Sequence, residues 1–376
     1  MSVENILVLN AGSATLKYAV YGSVREASPG TCLLRGQVEL AAGGGEEAVR
    51  DALRDIAREL NPFAIGAVGH RIVHGGAKFV ASALIDDGVV AELRALQPLA
   101  PLHQALGLAV VAAARAERPL VPHVAAFDTA FHASMPMVAQ RFALPQVWFD
   151  RGVRRFGFHG LSYEFIASRL DQLDVSEPTR RVVVAHLGGG ASLCALRGGR
   201  SVATTMSFTP TDGLVMSTRS GALDPGAVLF LVREHRMDVD AVEHLLNLES
   251  GLLGVSGVSG DMRALLENRE PAAQLAVDLF VHRIVMETGA MVAALGGVDA
   301  IVFTGGIGTH QPRIRSRICD ALAWLGIHAD PALNQRGQMR FDSPRSAVGL
   351  WNIPTDEEGV IAAHTARLVS GMNNEQ

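Results

Sequence analysis

The stretch Val182–Leu196, VVVAHLGGGASLCAL, constrains the fold more than any other part of the chain. A β-branched run leads to His186, three consecutive glycines follow (Gly188, Gly189 and Gly190), and a second apolar run returns from Ala191 to Leu196. β-formers on both sides of a glycine tip predict a strand, a tight turn and a returning strand. Glycines leave the backbone N–H groups of the tip uncovered, because no Cβ shields them. The tip therefore reads either as a plain hairpin turn or as a cradle for an anion such as phosphate.

Ile6–Val20, ILVLNAGSATLKYAV, repeats the layout. Residues two apart on a strand share a face, so Asn10, Gly12, Ser13, Thr15 and Lys17 fall at the tip and on one face of the returning strand. A lysine there can meet a phosphate and an asparagine can hold a metal-bound water; an ordinary hairpin with a solvated face is the competing reading. Two such hairpins about one domain apart predict a duplicated fold whose glycine tips face a common cleft, gripping a nucleotide's phosphates by backbone. No GxxxxGK[ST] run occurs, so any nucleotide is held without a P-loop.

At 376 residues the chain is long enough for two domains, each with its own core. It is 48% hydrophobic with 39 glycines, the composition of a packed, turn-rich α/β protein and not of a disordered one. A net charge of -5 and the lack of any Lys/Arg run argue against nucleic acid as a partner. Three scattered cysteines, Cys32, Cys194 and Cys319, make no disulfide framework and fit a reducing cytoplasm. The start, MSVENILVLN, runs straight into a strand pattern and does not read as a signal peptide. The most apolar run, Ala105–Ala114, is about half a bilayer span, so a soluble protein without a membrane partner is expected.

Elsewhere, polar residues stand where α/β folds place chemistry. Glu46–Glu59 has an amphipathic helical period with Val49, Leu53 and Ile56 on one stripe. In Val68–Gly76, VGHRIVHGG, the β-branched pair and the Gly-Gly that follows predict a strand ending in a loop, which argues against a metal site on His70 and His74. Arg71 at that strand end is a guanidinium fork for a carboxylate or phosphate, or a surface ion pair. His103 opens an apolar helix. Asp128, after a strand, either holds Mg²⁺ through water and orients an oxygen or caps a turn. His159, between Phe158 and Gly160, is a donor to a transferring phosphoryl group or a satisfied core histidine. Arg219, in a glycine-bounded loop, neutralises a phosphoryl oxygen or staples the loop. Pro225–Glu249 reads as two helices, Gly251–Arg263 as a glycine/serine loop, and Ala272–Leu295 as a long apolar helix of a core or subunit interface. Val298–Gly308 reads as a buried strand feeding a Gly-Gly-x-Gly turn. Asp356, Glu357 and Glu358 precede a closing helix, where they hold Mg²⁺ or cap it.

Ten ordered motifs carry a resemblance: LNAGSATLKYAV, GHRIVHGG, APLH, FDTAFHASMP, RRFGFHGLS, HLGGGAS, FTPTDGL with TRSG, SGLLGVSG, DAIVFTGGIG and PTDEE. Together they resemble the acetate kinase family of short-chain acyl kinases, in the sugar kinase, heat-shock protein 70 and actin superfamily. The resemblance runs from residue 6 to about 360. It implies two duplicated actin-like, ribonuclease H-like α/β domains with mixed sheets flanked by helices: residues 1–131 with 359–376, and 132–358 as the nucleotide-binding domain. It implies reversible, Mg²⁺-dependent (or Mn²⁺-dependent) direct in-line transfer of the ATP γ-phosphoryl group to acetate, giving acetyl phosphate and ADP, by a cytoplasmic homodimer.

Residue by residue, the resemblance implies that Asn10 and Glu357 hold the metal, directly or through water, and that Lys17 meets a nucleotide phosphate. Asp128, His159 and Arg219 match catalytic positions and Arg71 a substrate carboxylate position. Val73, Leu102, Phe158 and Pro210 resemble the pocket around the acyl methyl. His186 with Gly188, Gly189 and Gly190 matches the phosphate hairpin. Asp261, Met262, Arg263 and the turn Gly305, Gly306, Ile307, Gly308 and Thr309 match the adenosine side. The chain departs from the family at Gly189 (usually Asn), at Gln104-Ala105 (Asn-Pro), at Ala222 (Asp) and at Thr309-His310 (Glu-Asn), which bears on the donor nucleotide. Propionate or butyrate as acceptor, and a non-catalytic nucleotide-dependent regulator on the same scaffold, are the alternatives.

Overall fold

A computed structural model of the chain describes residues 5–12, 15–22, 31–40, 45–170 and 180–374. Ser13 and the side chain of Leu102 lie outside that description. By its internal contacts the chain divides into two compact units, Met1–Ala133 with Gly160–Phe165 and Asp356–Gln376, and Ser134–His159 with Ile166–Thr355.

The first unit is built on β1 (Asn5–Ala11), β2 (Thr15–Gly22), β3 (Cys32–Glu39), β4 (Ile65–Ile72), β5 (Ala83–Leu84) and β6 (His123–Phe127). Among the described residues its sheet has the order β3-β2-β1-β4-β6-β5. The expected hairpin is present: β1 and β2 pair antiparallel, with Asn10 directly opposite Lys17. β1, β4 and β6 then run parallel. Residues of β1 alternate between two apolar faces, as period 2 requires. Leu7 and Leu9 pack with Val49, Leu53 and Ile56 of the helix Gly45–Glu59 and with Val110 of the helix Pro101–Glu117. Ile6 and Val8 pack with Ile361, Ala362 and Ala366 of the closing helix Glu357–Asn374. Both faces are thereby covered, the condition under which parallel strands are found.

The second unit repeats the plan with β7 (Arg181–Leu187), β8 (Ala191–Arg197), β9 (Arg200–Thr204), β10 (Ala300–Thr304) and β11 (Gly349–Asn352). Its order is β11-β10-β7-β8-β9. In each unit an antiparallel three-strand meander is followed by two parallel strands beside the first, so the duplication read from the paired hairpins is present in the strand order. The helix Pro271–Leu295 packs on the meander, and its Ala276, Val277, Phe280 and Ile284 are fully buried.

Three local readings change. Gly251–Arg263 is not all loop: Gly251–Ser256 forms a short helix closed by Gly257 in the left-handed region, and Met262–Glu267 forms another. Pro225–Glu249 gives two helices, Pro225–Glu234 and Val239–His244, and then a wide turn at Leu245–Glu249. The glycines after β10 continue directly into the short helix Gly305–His310, with Gly305 at φ 75° supplying the turn. Composition marks glycine-rich segments as irregular, but neighbouring elements here supply the packing that one helical turn needs.

His70 on β4 and His123 on β6 form a buried stacked pair, 5.2 Å between centroids with Nε2 and Nδ1 2.9 Å apart. His123 Nε2 reaches the Arg118 carbonyl at 3.2 Å and must carry a proton to do so; His123 Nδ1 then accepts from His70 Nε2–H. His70 thus joins β4 to β6 through its ring. Burial lowers both imidazoles, His70 well below its ordinary value and His123 less. In the unfolded chain both bind protons below about pH 6.5. Their contribution is therefore complete above that pH and is lost as pH falls through it, at up to ~1.4 kcal/mol per pH unit per histidine. The urea midpoint should fall between pH 6.5 and 5, and the acid limb should flatten in a His70→Leu/His123→Leu variant. Equal slopes in the two proteins would contradict the assignment.

Candidate active site

The glycine tip of the second unit is where its polar side chains gather. β7 and β8 pair antiparallel with His186 opposite Ser192, and Gly188–Gly190 joins them. His159 precedes the helix Gly160–Arg169 and holds a left-handed backbone, φ 57° and ψ 24°. A non-glycine residue pays for that conformation only where its surroundings enforce it, and such positions cluster at functional sites. Its ring stacks on His186 at 4.2 Å and 24°, and its Nδ1 lies 2.9 Å from Ser192 Oγ. Nε2 is thus the nitrogen turned towards the tip. A Cβ built on Gly190 would lie 3.1 Å from His159 Nε2 and 2.8 Å from Arg219 Nη2. Gly190 must be glycine because two donor-bearing side chains, one a fixed cation, converge on its Cα.

Arg219 is held by its backbone. Gly251 approaches it so closely, at φ 62°, that a Cβ there would lie 2.8 Å from Arg219 O and 3.0 Å from Arg219 N. Met216 N donates to Arg219 O, Ser220 N to Leu246 O, and Ser250 N to Thr218 O. Thr218 Oγ1 donates to the Asn247 carbonyl, while Thr211 Oγ1 donates to the Asn247 side chain. Arg219 Nη1 donates to Pro210 O at 2.7 Å. Phe156 and Gly157 donate from their backbones to Ser207 O, which ties the strap carrying Phe158 and His159 to the loop carrying Pro210.

The first unit has its own polar centre at the carboxyl ends of β1, β4 and β6. Arg71 makes a buried two-pronged pair with Asp128, Nη2 to Oδ2 at 2.6 Å and Nε to both oxygens at 3.1 Å. Its Nη1 donates to Asn10 Oδ1 at 3.3 Å and to Ala11 O at 3.4 Å. The Nε–H, both Nη1–H and one Nη2–H are so engaged; among the described residues one Nη2–H remains for an incoming oxygen. Burial works against the Arg71 charge, yet Asp128 with Glu357 and Glu358 holds it above its ordinary value. Burial pushes the Asp128 carboxyl up against the pull of Arg71, and Glu357 adds to the rise. The ion pair is therefore buried, unlike the surface pair weighed from the sequence. Asn10 Nδ2 donates to Glu358 Oε1 at 2.8 Å and to Glu357 Oε2 at 3.2 Å. Gly160, the residue after His159, donates to Asp128 O at 2.9 Å, and a Cβ there would come within 2.1 Å of that oxygen.

Other expected positions are less gathered. Lys17 is exposed on β2. Val73, just beyond β4, is buried, as are Phe158 and Pro210. Asp261 caps the helix Met262–Glu267 through Arg263 N at 2.8 Å and pairs with Arg263 at 3.3 Å, both exposed, while Met262 is buried. Gly305, Gly306, Ile307, Gly308 and Thr309 form the short helix after β10, and Gly306 N is 3.7 Å from a Cβ built on Gly188.

Sequence reasoning missed four supports. Arg315 is fully buried and donates to Gly308 O, Thr309 O and Asn334, fixing the end of the glycine helix. Ser192 sets His159, Asn247 braces the Arg219 loop, and Gln104 clamps the backbone of His74 from both sides. Only Gln104 gave a signal, as a departure from the family pattern. Among the described residues no group of three or more His, Cys, Asp or Glu side chains could hold a metal. Mg²⁺ needs no such cage, since one or two carboxylates with waters and substrate phosphates hold it; Glu357 is a carboxylate of that kind, with Asn10 bonded to it through Nδ2.

The chain matches the profile of the Acetokinase family over residues 5–363. It is 45% identical to an acetate kinase of Rhodopseudomonas palustris, covering 97% of this chain and 98% of that one, and 45% identical to an acetate kinase of Rhizobium meliloti, covering 99% and 100%. Among solved structures it is similar to Porphyromonas gingivalis acetate kinase (TM-score 0.85, 34% identity, 97% and 100% covered) and to a propionate kinase from Francisella tularensis (TM-score 0.86, 33%, 96% and 99%).

A methyl on Gly190 would displace both the Arg219 and the His159 side chains. Gly190→Ala should leave the far-ultraviolet circular dichroism unchanged and weaken the binding of inorganic phosphate to the ADP complex by about 10-fold or more, with ADP alone bound as before. Unaltered binding would show that the two side chains do not serve the tip.

Proposed function

The chain belongs to the acetokinase family, and from that premise we propose that it transfers the γ-phosphoryl group of ATP to acetate, reversibly, with Mg²⁺. It is a phosphotransferase with a carboxyl group as acceptor. The observation that carries the reading is the convergence of Arg219 Nη2 and His159 Nε2 on the bare Cα of Gly190.

An acetate oxygen attacks the γ-phosphorus, the bond from that phosphorus to the β–γ bridging oxygen breaks, and ADP leaves with the electron pair. A carboxylate is already a competent nucleophile, so the protein supplies position and charge instead of a base. Arg219 and His159 donate to the equatorial oxygens, whose charge grows in the transition state. The free Nη2–H of Arg71 meets the acetate carboxylate, and Asp128, held by the rest of that guanidinium, fixes its direction. Glu357 and Asn10 would hold Mg²⁺, which supplies neutralisation of the phosphate charge. Lys17, His186 and Gly188–Gly190 take the nucleotide phosphates, and the Gly305–Thr309 helix with Asp261–Arg263 takes the adenosine side. Water must be kept from the transferring group, or ATP is hydrolysed.

Acetate is assigned over larger acids on the family resemblance, in which Val73, Phe158 and Pro210 stand at the acyl-methyl positions; each of the three is buried. Similarity to a propionate kinase structure keeps propionate as the second reading. A homodimer is part of the proposal; Leu229, Phe230, Leu275 and Met286 remain exposed on the helices Pro225–Glu234 and Pro271–Leu295. So is a cytoplasmic location: among the described residues no helix is long and apolar enough to cross a membrane.

Trapping acyl phosphate as its hydroxamate with ATP, Mg²⁺ and acetate should give product, and its absence with acetate, propionate and butyrate alike would leave only the regulatory reading. Arg219→Ala should lower kcat by about 10²-fold or more with little change in KM for ATP; an unchanged kcat would remove Arg219 from the transfer. kcat/KM should fall from acetate to propionate to butyrate, and Val73→Ala should narrow the first gap by about 10-fold, since one methylene is worth ~1–3 kcal/mol. A butyrate preference would overturn the acetate assignment.

A further inference from the structure

We propose that Ser217 is a nucleotide-phosphate ligand of this chain, its hydroxyl serving the hairpin tip at the point where Gly189 carries no side chain. The proposal rests on the kinase reading and deepens it by naming a residue that the family resemblance does not assign.

Gly188 and Gly190 are both confined by neighbours, but Gly189 is not. Within 4 Å of a Cβ built on Gly189 lies only Ser217 Oγ, at 3.6 Å. The two residues are also joined through backbone, Ser217 N donating to Gly189 O at 3.1 Å. On its other side Ser217 O accepts from Leu253 N at 2.9 Å, and Gly260 packs so closely that a Cβ there would be 2.9 Å from Ser217 O and 3.2 Å from Ser217 Cβ. The Ser217 backbone is thus pinned from two directions, with a glycine on each flank of its side chain.

Ser217 is half-buried, and its hydroxyl has no hydrogen-bond partner among the described residues. Nearly every other polar side chain of this loop is engaged: Thr211, Thr218 and Arg219 each donate to a named acceptor. A fixed, reachable and unengaged O–H next to uncovered backbone N–H groups suits an anionic oxygen. A hydrogen bond from a neutral donor to a charged acceptor is stronger than a neutral one. Its place beside Gly189, and not at Gly190 where Arg219 and His159 converge, assigns it to a phosphate that stays with the nucleotide. ADP should therefore feel it as much as ATP.

The test uses the full-length protein and titration calorimetry with ADP and Mg²⁺, alongside steady-state kinetics. Ser217→Ala should weaken ADP binding about 10-fold and raise KM for ATP by a similar factor, with kcat changed less than threefold and the melting temperature unchanged. Gly189→Asn brings an amide N–H to the same point, so Ser217→Ala/Gly189→Asn should regain ADP affinity to within threefold of the starting protein. ADP affinity of Ser217→Ala within twofold of the starting protein overturns the proposal. So does a loss that Gly189→Asn leaves unrepaired, which marks a merely structural role. If the starting protein binds ADP but makes no acetyl phosphate, the kinase reading fails while the titrations still decide the role of Ser217.

Discussion

Arg219 Nη2 and His159 Nε2 stand 2.8 and 3.1 Å from the point that a Cβ on Gly190 would occupy. Around that point the second unit is arranged to bring positive charge and N–H donors to bare backbone. The cost of holding them there appears elsewhere, in the left-handed backbone of His159 and in the close approach of Gly251 to the Arg219 peptide. Strained or crowded backbone of this kind persists only where its surroundings over-determine it. Here they do: Ser192 and His186 fix the imidazole, and Thr218, Ser220 and Met216 fix the loop. Donors fixed in advance need not reorganise during a reaction, which is the main source of electrostatic rate enhancement.

The same five-strand plan appears twice, yet the two hairpins carry different chemistry. In the first unit the residues facing each other near the tip are Asn10 and Lys17; in the second they are His186 and Ser192. Asn10 is bound into a network of Arg71, Glu357 and Glu358, a site of hard oxygen donors around one guanidinium. In the second unit the side chains that gather at Gly190 are Arg219 and His159, with His186 stacked on the latter. A fold duplicated in its backbone has been specialised through side chains at matching positions, which is where function resides on a shared scaffold.

Much of this was legible in the sequence because backbone need and residue type coincide. Glycine tips between β-branched runs gave both hairpins, period 2 in β1 and the stripe Val49, Leu53 and Ile56 gave the faces, and Asp128 fell at a strand end as expected. What could not be read were partnerships set by tertiary contact. Arg71 looked like an open fork, but it pairs with Asp128, 57 positions away, and with Asn10 and Ala11, which among the described residues leaves one N–H. Arg315, inside an ordinary helical pattern, carried no sign that it would be fully buried against two carbonyls and Asn334. Ser192 and Ser217 are small residues in a strand and a loop, and nothing local separates them from others of their kind. The acidic run at Asp356–Glu358 was visible, but only the Asn10 contacts show that Glu358 joins Glu357.

The central claim is that the donors at Gly190 recognise charge that develops during transfer and not the bound nucleotide. Binding of ADP, aluminium fluoride, Mg²⁺ and acetate as a mimic of the transferring group tests this most directly, compared with binding of ADP and Mg²⁺ alone in the starting protein and in His159→Ala. The account predicts that His159→Ala loses the quaternary complex by about 10²-fold while ADP binds as before. Equal weakening of both complexes would contradict it.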